Sequence, residues 1–252
     1  MQNPKNKQLI SNMFKKYGLF FIKSCCFLFF FLLISCGSDT SNKNKAPNTT
    51  SNDSEISNEN HNNNRTILFF GNSLTAGYGL TDIHDAFPGI IQSYIDSLSM
   101  NYTVINSGLS GETTAGGKNR INWVLNQKVD VFVLELGAND GLRGISLMET
   151  RENLQAIIDA VRSKNSATKI ILAGMQLPPN MGQDYIEDFK KIFPELAEKN
   201  QIHLVPFLLK DVGGITELNQ KDGIHPTSEG QKILAKNVWA VMESLIRDAD
   251  KN

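Results

Sequence analysis

Beyond residue 36 the chain contains no cysteine. Its three are Cys25, Cys26 and Cys36. Everything downstream therefore lacks an internal disulfide, a cysteine-ligated zinc and a thiol nucleophile. A dominant charge is also missing, since 25 Lys and Arg stand against 26 Asp and Glu. Five of the lysines and no acid precede Cys36, so the remainder holds 20 basic and 26 acidic residues, about −6. No nucleic-acid footprint results. The apolar run Ser24–Ser35 (SCCFLFFFLLIS) is too short to cross a bilayer as a helix. There is no Gly-x-Ser-x-Gly elbow, no metal-ligand cluster, no phosphate loop and no internal repeat. Ser166-Ala167-Thr168-Lys169 fits Ser-x-x-Lys, but it leads into a strand without the partner motifs.

The N-terminal segment has the layout of a signal peptide. Lys5, Lys7, Lys15, Lys16 and Lys23 form a basic region ahead of the apolar run. Leu33-Ile34-Ser35-Cys36 closes that run and resembles a bacterial lipobox. The resemblance implies cleavage before Cys36 and lipid attachment there, with residues 1–35 removed. It also implies a protein anchored to a membrane in the bacterial cell envelope, on the periplasmic or extracellular side. From Cys36 to Asn64 the chain is rich in Asn and Ser with scattered apolar residues. Such a segment buries too little surface to offset its ordering entropy and reads as a tether. As a flexible coil it reaches about 30 Å.

Residues 65–248 read as one domain, followed by a short tail at 249–252. Strand-like runs at Thr66–Phe70, Thr103–Ile105, Val129–Leu136, Lys169–Ala173 and His203–Pro206 are short, apolar and β-branched. That suits a parallel sheet covered on both faces. Helical periods fall between them. Leu154, Ile157, Ile158 and Val161 share a face, as do Leu234, Val238, Val241 and Leu245. Pro88 suits a first helical turn ahead of Ile90, Ile91, Tyr94 and Ile95. Strand–helix alternation predicts a three-layer α/β/α sandwich, with ligands bound at the carboxyl ends of the strands.

The chemistry gathers at those ends. Ser73 follows the first strand in Gly71-Asn72-Ser73-Leu74 and precedes the Gly-rich Ala76-Gly77-Tyr78-Gly79. A serine is a poor nucleophile until a base takes its proton. Of the four histidines, His61 lies in the tether, His84 in a polar loop and His203 at a strand start. His225 sits three residues after Asp222, just before a helix that Thr227 or Ser228 can cap. A short turn there brings the Asp222 carboxylate to one ring nitrogen and leaves the other facing outward to Ser73. Asn106–Thr113 follows the second strand, and its Gly111 has no side chain to block a substrate oxygen. Leu136-Gly137-Ala138-Asn139-Asp140 follows the third, and the Asn139 amide is a neutral donor suited to an oxyanion.

These blocks resemble the SGNH (GDSL-type) hydrolase superfamily, with Ser73, Gly111, Asn139 and His225 at its four named positions and Asp222 completing a triad. Glu135-Leu136-Gly137-Ala138-Asn139-Asp140-Gly141-Leu142-Arg143-Gly144 and Asp222-Gly223-Ile224-His225-Pro226 are similar to its thioesterase I, lysophospholipase and arylesterase branch. The resemblance implies a flavodoxin-like sheet of five parallel strands and a serine esterase acting on carboxylic esters or thioesters. It implies Ser73 N–H, Gly111 N–H and the Asn139 amide as the oxyanion hole, and no cofactor. Leu177-Pro178-Pro179-Asn180-Met181-Gly182 resembles the branch's loop beside an acyl pocket, which makes Leu177 and Pro178 candidate substrate contacts. The first block departs from the family's Gly-Asp-Ser-Leu at Asn72. Asparagine suits turns, so the turn is expected to survive with altered electrostatics around Ser73. Two other readings fit the same residues: a carbohydrate O-acetyl esterase, and a silent lipoprotein that only binds lipid or glycan.

Overall fold

The computed structural model describes residues 64–250. The expected signal peptide, the lipid site at Cys36 and all of the tether except Asn64 lie outside them.

Five short apolar runs become five parallel strands: β1 Arg65–Gly71, β2 Tyr102–Gly108, β3 Val131–Glu135, β4 Lys169–Ala173 and β5 His203–Val205. They lie side by side in the order β2-β1-β3-β4-β5. All neighbours pair in parallel. This is the flavodoxin-like order, and the expected five-stranded parallel sheet is the one observed. The strand boundaries differ by a few residues. Seven residues of β2 pair with β1, so the sheet takes in Asn106, Ser107 and Gly108, which in sequence read as a turn. Conversely, β3 begins only at Val131.

Among the described residues, seven α-helices connect and flank the strands: α1 Ser73–Ala76, α2 Phe87–Ser97, α3 Thr114–Val124, α4 Ala138–Leu142, α5 Leu147–Lys164, α6 Gln183–Asn200 and α7 Ser228–Asp250. Helix α2 packs against α7, while α3 packs on α5 and α5 on α6. The sheet lies between these two helical layers, which is why β1 and β3 are apolar throughout their centres. Ile67, Leu68, Phe69 and Phe70 are fully buried, as are Phe132, Val133 and Leu134. Pro88 does lie in the first turn of α2. The Thr227 hydroxyl accepts from Gly230 N at 3.3 Å and caps α7.

The apolar face of α7 is not quite the one the periodicity suggests. Leu234, Val238, Met242 and Ile246 are fully buried, whereas Val241 and Leu245 are half-buried at the edge of the core. The buried i, i+4 row follows from how α7 lies on α2 and on strands β4 and β5, a placement that sequence spacing does not carry. The helix also continues to Asp250, past the expected domain end at 248.

The strand order matters for function. Strand β1 has β2 on one side and β3 on the other, so the connections leaving β1 and its neighbours depart in opposite directions. A crevice opens at the carboxyl ends of such strands. Ser73, Gly111 and Asn139 follow β1, β2 and β3 respectively, so all three fall at that crevice.

Candidate active site

The turn after β1 is built around Asn72. Its side chain accepts from Leu74 N at 3.0 Å and caps α1. Gly77 closes the helix in the left-handed region at φ 71°. The turn therefore survives with asparagine in place of aspartate. Ser73 opens α1 rather than capping it, so its hydroxyl is free to point outward. A first-turn N–H has no intrahelical acceptor, and Ser73 N has no other protein acceptor among the described residues.

His225 reaches Ser73 from the far end of the domain. The 219–227 segment is fixed by the Asn219–Pro226 bridge, by Gln220 N donating to His225 O at 2.7 Å, and by Thr227 N donating to Leu218 O at 2.9 Å. Gln220 Nε2 also donates to Tyr78 O at 2.7 Å, which ties the segment to the end of α1. With the backbone set, His225 Nε2 lies 2.9 Å from Ser73 Oγ. His225 Nδ1 lies 2.7 Å from Asp222 Oδ2. The other Asp222 oxygen, Oδ1, accepts from Ile224 N and His225 N, each at 3.0 Å. The His225 side chain first, then these two amides, pull the Asp222 carboxyl down to about 2. It stays ionised wherever a neutral imidazole exists. Tyr78 lies against the imidazole, with ring centroids 4.6 Å apart.

The donor side is equally constrained. Gly111 has φ 79°, a conformation L-residues avoid. Its carbonyl accepts from Arg143 Nη2 at 3.0 Å, and its N–H has no protein acceptor among the described residues. Asn139 Nδ2 donates one hydrogen to Glu112 O at 2.9 Å, which leaves the second for a ligand. Arg120 clamps this loop: its Nη2 donates to Glu112 Oε2 at 2.5 Å and to Ser107 O at 2.9 Å. Its guanidinium carbon sits 4.0 Å from the Phe70 ring centroid. Asp140 accepts from Thr114 N at 2.9 Å and binds the start of α3 to the start of α4.

Ser73, Gly111, Asn139, His225, Leu177 and Pro178 all line one cavity of about 510 Å³. Asp222 stands behind His225. All the predicted residues of the domain are thus brought together. Met175, Phe207 and Leu209 complete an apolar wall that the sequence does not single out. His84 is exposed, and so is His203 at the start of β5. Among the described residues no group of three or more His, Cys, Asp or Glu side chains is placed to hold a metal ion.

One buried acid also escapes a reading of the sequence. Glu135 is fully buried at the end of β3. It accepts from Asn72 N at 3.0 Å, Asn72 Nδ2 at 2.8 Å and Thr75 Oγ1 at 2.8 Å. Burial pushes its carboxyl up to about 7, against the opposing pull of the bonds from Thr75 and Asn72. Its place at the end of an apolar strand gives no hint that it faces the serine's turn.

A hydroxyl, an imidazole and a carboxylate in a relay, facing donors across a crevice of a flavodoxin-like sheet, define the serine hydrolase class. The chain belongs to the GDSL-like Lipase/Acylhydrolase family, whose model matches residues 69–233. It is 37% identical over 183 residues to Esterase TesA of Pseudomonas aeruginosa, covering 72% of this chain and 90% of that protein. It is 35% identical over 182 residues to the Thioesterase 1/protease 1/lysophospholipase L1 of Escherichia coli K12, covering 72% and 85%. Among solved structures, a crystal structure of TesA is similar with a TM-score of 0.69 at 37% identity, covering 72% of this chain and 99% of the other.

Proposed function

We propose that this protein hydrolyses carboxylic esters or thioesters through an acyl-enzyme on Ser73. One observation carries the reading: Ser73 Oγ, His225 and Asp222 form a continuous chain of 2.9 and 2.7 Å contacts. Ser73 Oγ attacks the carbonyl carbon while His225 Nε2 takes its proton. Asp222 holds the Nδ1–H tautomer and stabilises the imidazolium. Negative charge builds on the carbonyl oxygen, where Ser73 N–H, Gly111 N–H and the Asn139 amide receive it. Collapse expels the alcohol or thiol, which takes the proton from His225. Water, deprotonated by His225, then attacks the acyl group, and Ser73 is restored as the carboxylic acid leaves.

The cavity favours an acyl chain over an acetyl group on a glycan. Leu142, Met175, Leu177, Phe207 and Leu209 offer apolar surface and few hydrogen-bond partners for sugar hydroxyls. The names of the relatives, an esterase and a thioesterase/lysophospholipase, support the same substrate class. The N-terminal features, a basic region, an apolar run and Leu33-Ile34-Ser35-Cys36, support lipid attachment at Cys36 and a place in the bacterial cell envelope. Loss of detergent-phase partitioning on Cys36→Ser tests that attachment.

Ser73→Ala tests the catalytic reading. The variant should lose both p-nitrophenyl ester hydrolysis and covalent labelling by a fluorophosphonate. Unchanged hydrolysis in the purified variant removes Ser73 from the mechanism. Wild-type protein that neither labels nor turns over supports the binding-only alternative.

A further inference from the structure

The proton relay makes no use of Glu135, yet this acid is fully buried beside the serine's turn. Among the described residues no charged side chain bonds to it. Its two oxygens have separate partners. Oε2 accepts from Asn72 N at 3.0 Å and Thr75 Oγ1 at 2.8 Å, Oε1 accepts from Asn72 Nδ2 at 2.8 Å, and the Thr75 backbone N–H also bonds to the carboxylate. The donors flank Ser73 on both sides. Gly71, paired in register with Glu135, makes room for the contact. A Cβ on Gly71 would lie 2.1 Å from Thr75 Oγ1 and 2.5 Å from Glu135 Oε2.

The effect passes to the nucleophile through one amide. Because Asn72 Nδ2 is held by Glu135, Asn72 Oδ1 faces the other way. There it lies 3.0 Å from Leu74 N and 3.3 Å from Ser73 Oγ. We propose that Glu135 is a positioning residue for Ser73: its carboxylate fixes the turn through Asn72 and Thr75, and Asn72 supplies, as an amide, a bond that a second carboxylate could not. The inference rests on Ser73 being the nucleophile. Burying a carboxylate is costly unless donors surround it, and here every donor belongs to the serine's turn.

The separate duties of the two oxygens set a sharp test. Glu135→Gln places an NH2 group against Asn72 Nδ2, donor against donor. Asn72→Asp combined with Glu135→Gln reverses that bond and keeps all the others. The new amide sits where Oε1 was, and the new carboxylate accepts from it while still facing Leu74 N and Ser73 Oγ. Turnover of p-nitrophenyl butyrate is measured at pH 8 for wild type, both variants and Ser73→Ala, with thermal melting as the fold control. Misplacing a reacting group by about 1 Å costs on the order of 10²-fold. The single variant should therefore lose roughly 10- to 100-fold in kcat at nearly unchanged KM, and the double variant should regain most of it. Wild-type kcat in Glu135→Gln overturns the proposal, as does a folded double variant no faster than the single. If the single variant does not fold, the double decides: folded and active supports the proposal, any other result overturns it. Activity retained by Ser73→Ala instead removes the nucleophile assignment, whatever Glu135 does.

Discussion

Replacing Asp222 with asparagine should do more harm than the loss of one charge, because the local backbone dictates how the new amide points. Asp222 Oδ1 accepts from two backbone amides, Ile224 N and His225 N, each at 3.0 Å. An asparagine must keep its carbonyl oxygen there. Its NH2 group then faces His225 Nδ1, which is 2.7 Å from the second oxygen. Nδ1 is forced to accept, so the ring proton moves to Nε2, the atom facing Ser73 Oγ. The base is then occupied. Restoring the reactive tautomer sets the ring N–H against the amide NH2, donor against donor, which costs roughly 1–3 kcal/mol. The imidazolium also loses its carboxylate. That attraction is about 4 kcal/mol at 4 Å near a surface, and about half of it is retained here because the Asp222 side chain is 40% exposed. Together these give about 3–5 kcal/mol, or roughly 10²–10⁴ in kcat. The same substitution in a triad hydrolase costs about 10⁴ for the same tautomeric reason. Asp222→Ala leaves the ring free to choose its tautomer and should be no slower than Asp222→Asn. The assay is kcat for p-nitrophenyl butyrate at pH 8, with imidazole ¹⁵N shifts to read the tautomer. An Asn variant within ten-fold of wild type, or one whose proton stays on Nδ1, refutes the reasoning.

Three more expectations rest on separate features. Asn139→Ala removes a donor from the cavity wall and should lower kcat by about 10²–10³-fold with little change in KM; a loss confined to KM would reassign Asn139 to ground-state binding. The p-nitrophenyl esters should improve with acyl length, by up to about four-fold in kcat/KM per buried methylene at ~0.8 kcal/mol each, until the cavity is filled. A series that peaks at acetate favours the glycan-acetyl reading. Glu135 has a folded value raised from 4.5 to about 7, so its contribution to stability is fully present below about 4.5 and is lost as pH rises through 7. Denaturant melts should show the stability of wild type falling relative to Glu135→Gln between pH 5 and 8, by on the order of 3 kcal/mol. A pH-independent difference would mean that Glu135 does not titrate in this range.

The sequence by itself determined what short spacing can carry. Asp222 and His225 are three residues apart, so one turn brings them into contact wherever the segment lies. The turn after β1 is set by Asn72 as cap and Gly77 as left-handed stop, both local properties. The strands were legible because burial on both faces demands unbroken apolar runs such as Ile67–Phe70. Other features depended on residues distant in the chain. Glu135 gained its role from Gly71, Asn72 and Thr75, about 60 positions earlier, and a side chain at the end of a strand does not announce its partner. Tyr78 met His225 only because Gln220 joins their loops. The buried face of α7 was fixed by the helix and the strands packed against it. Local motifs specify which groups are available, while sheet order and packing specify which of them meet. A proton transfer needs the second as much as the first, because it depends on distances that only the folded chain sets.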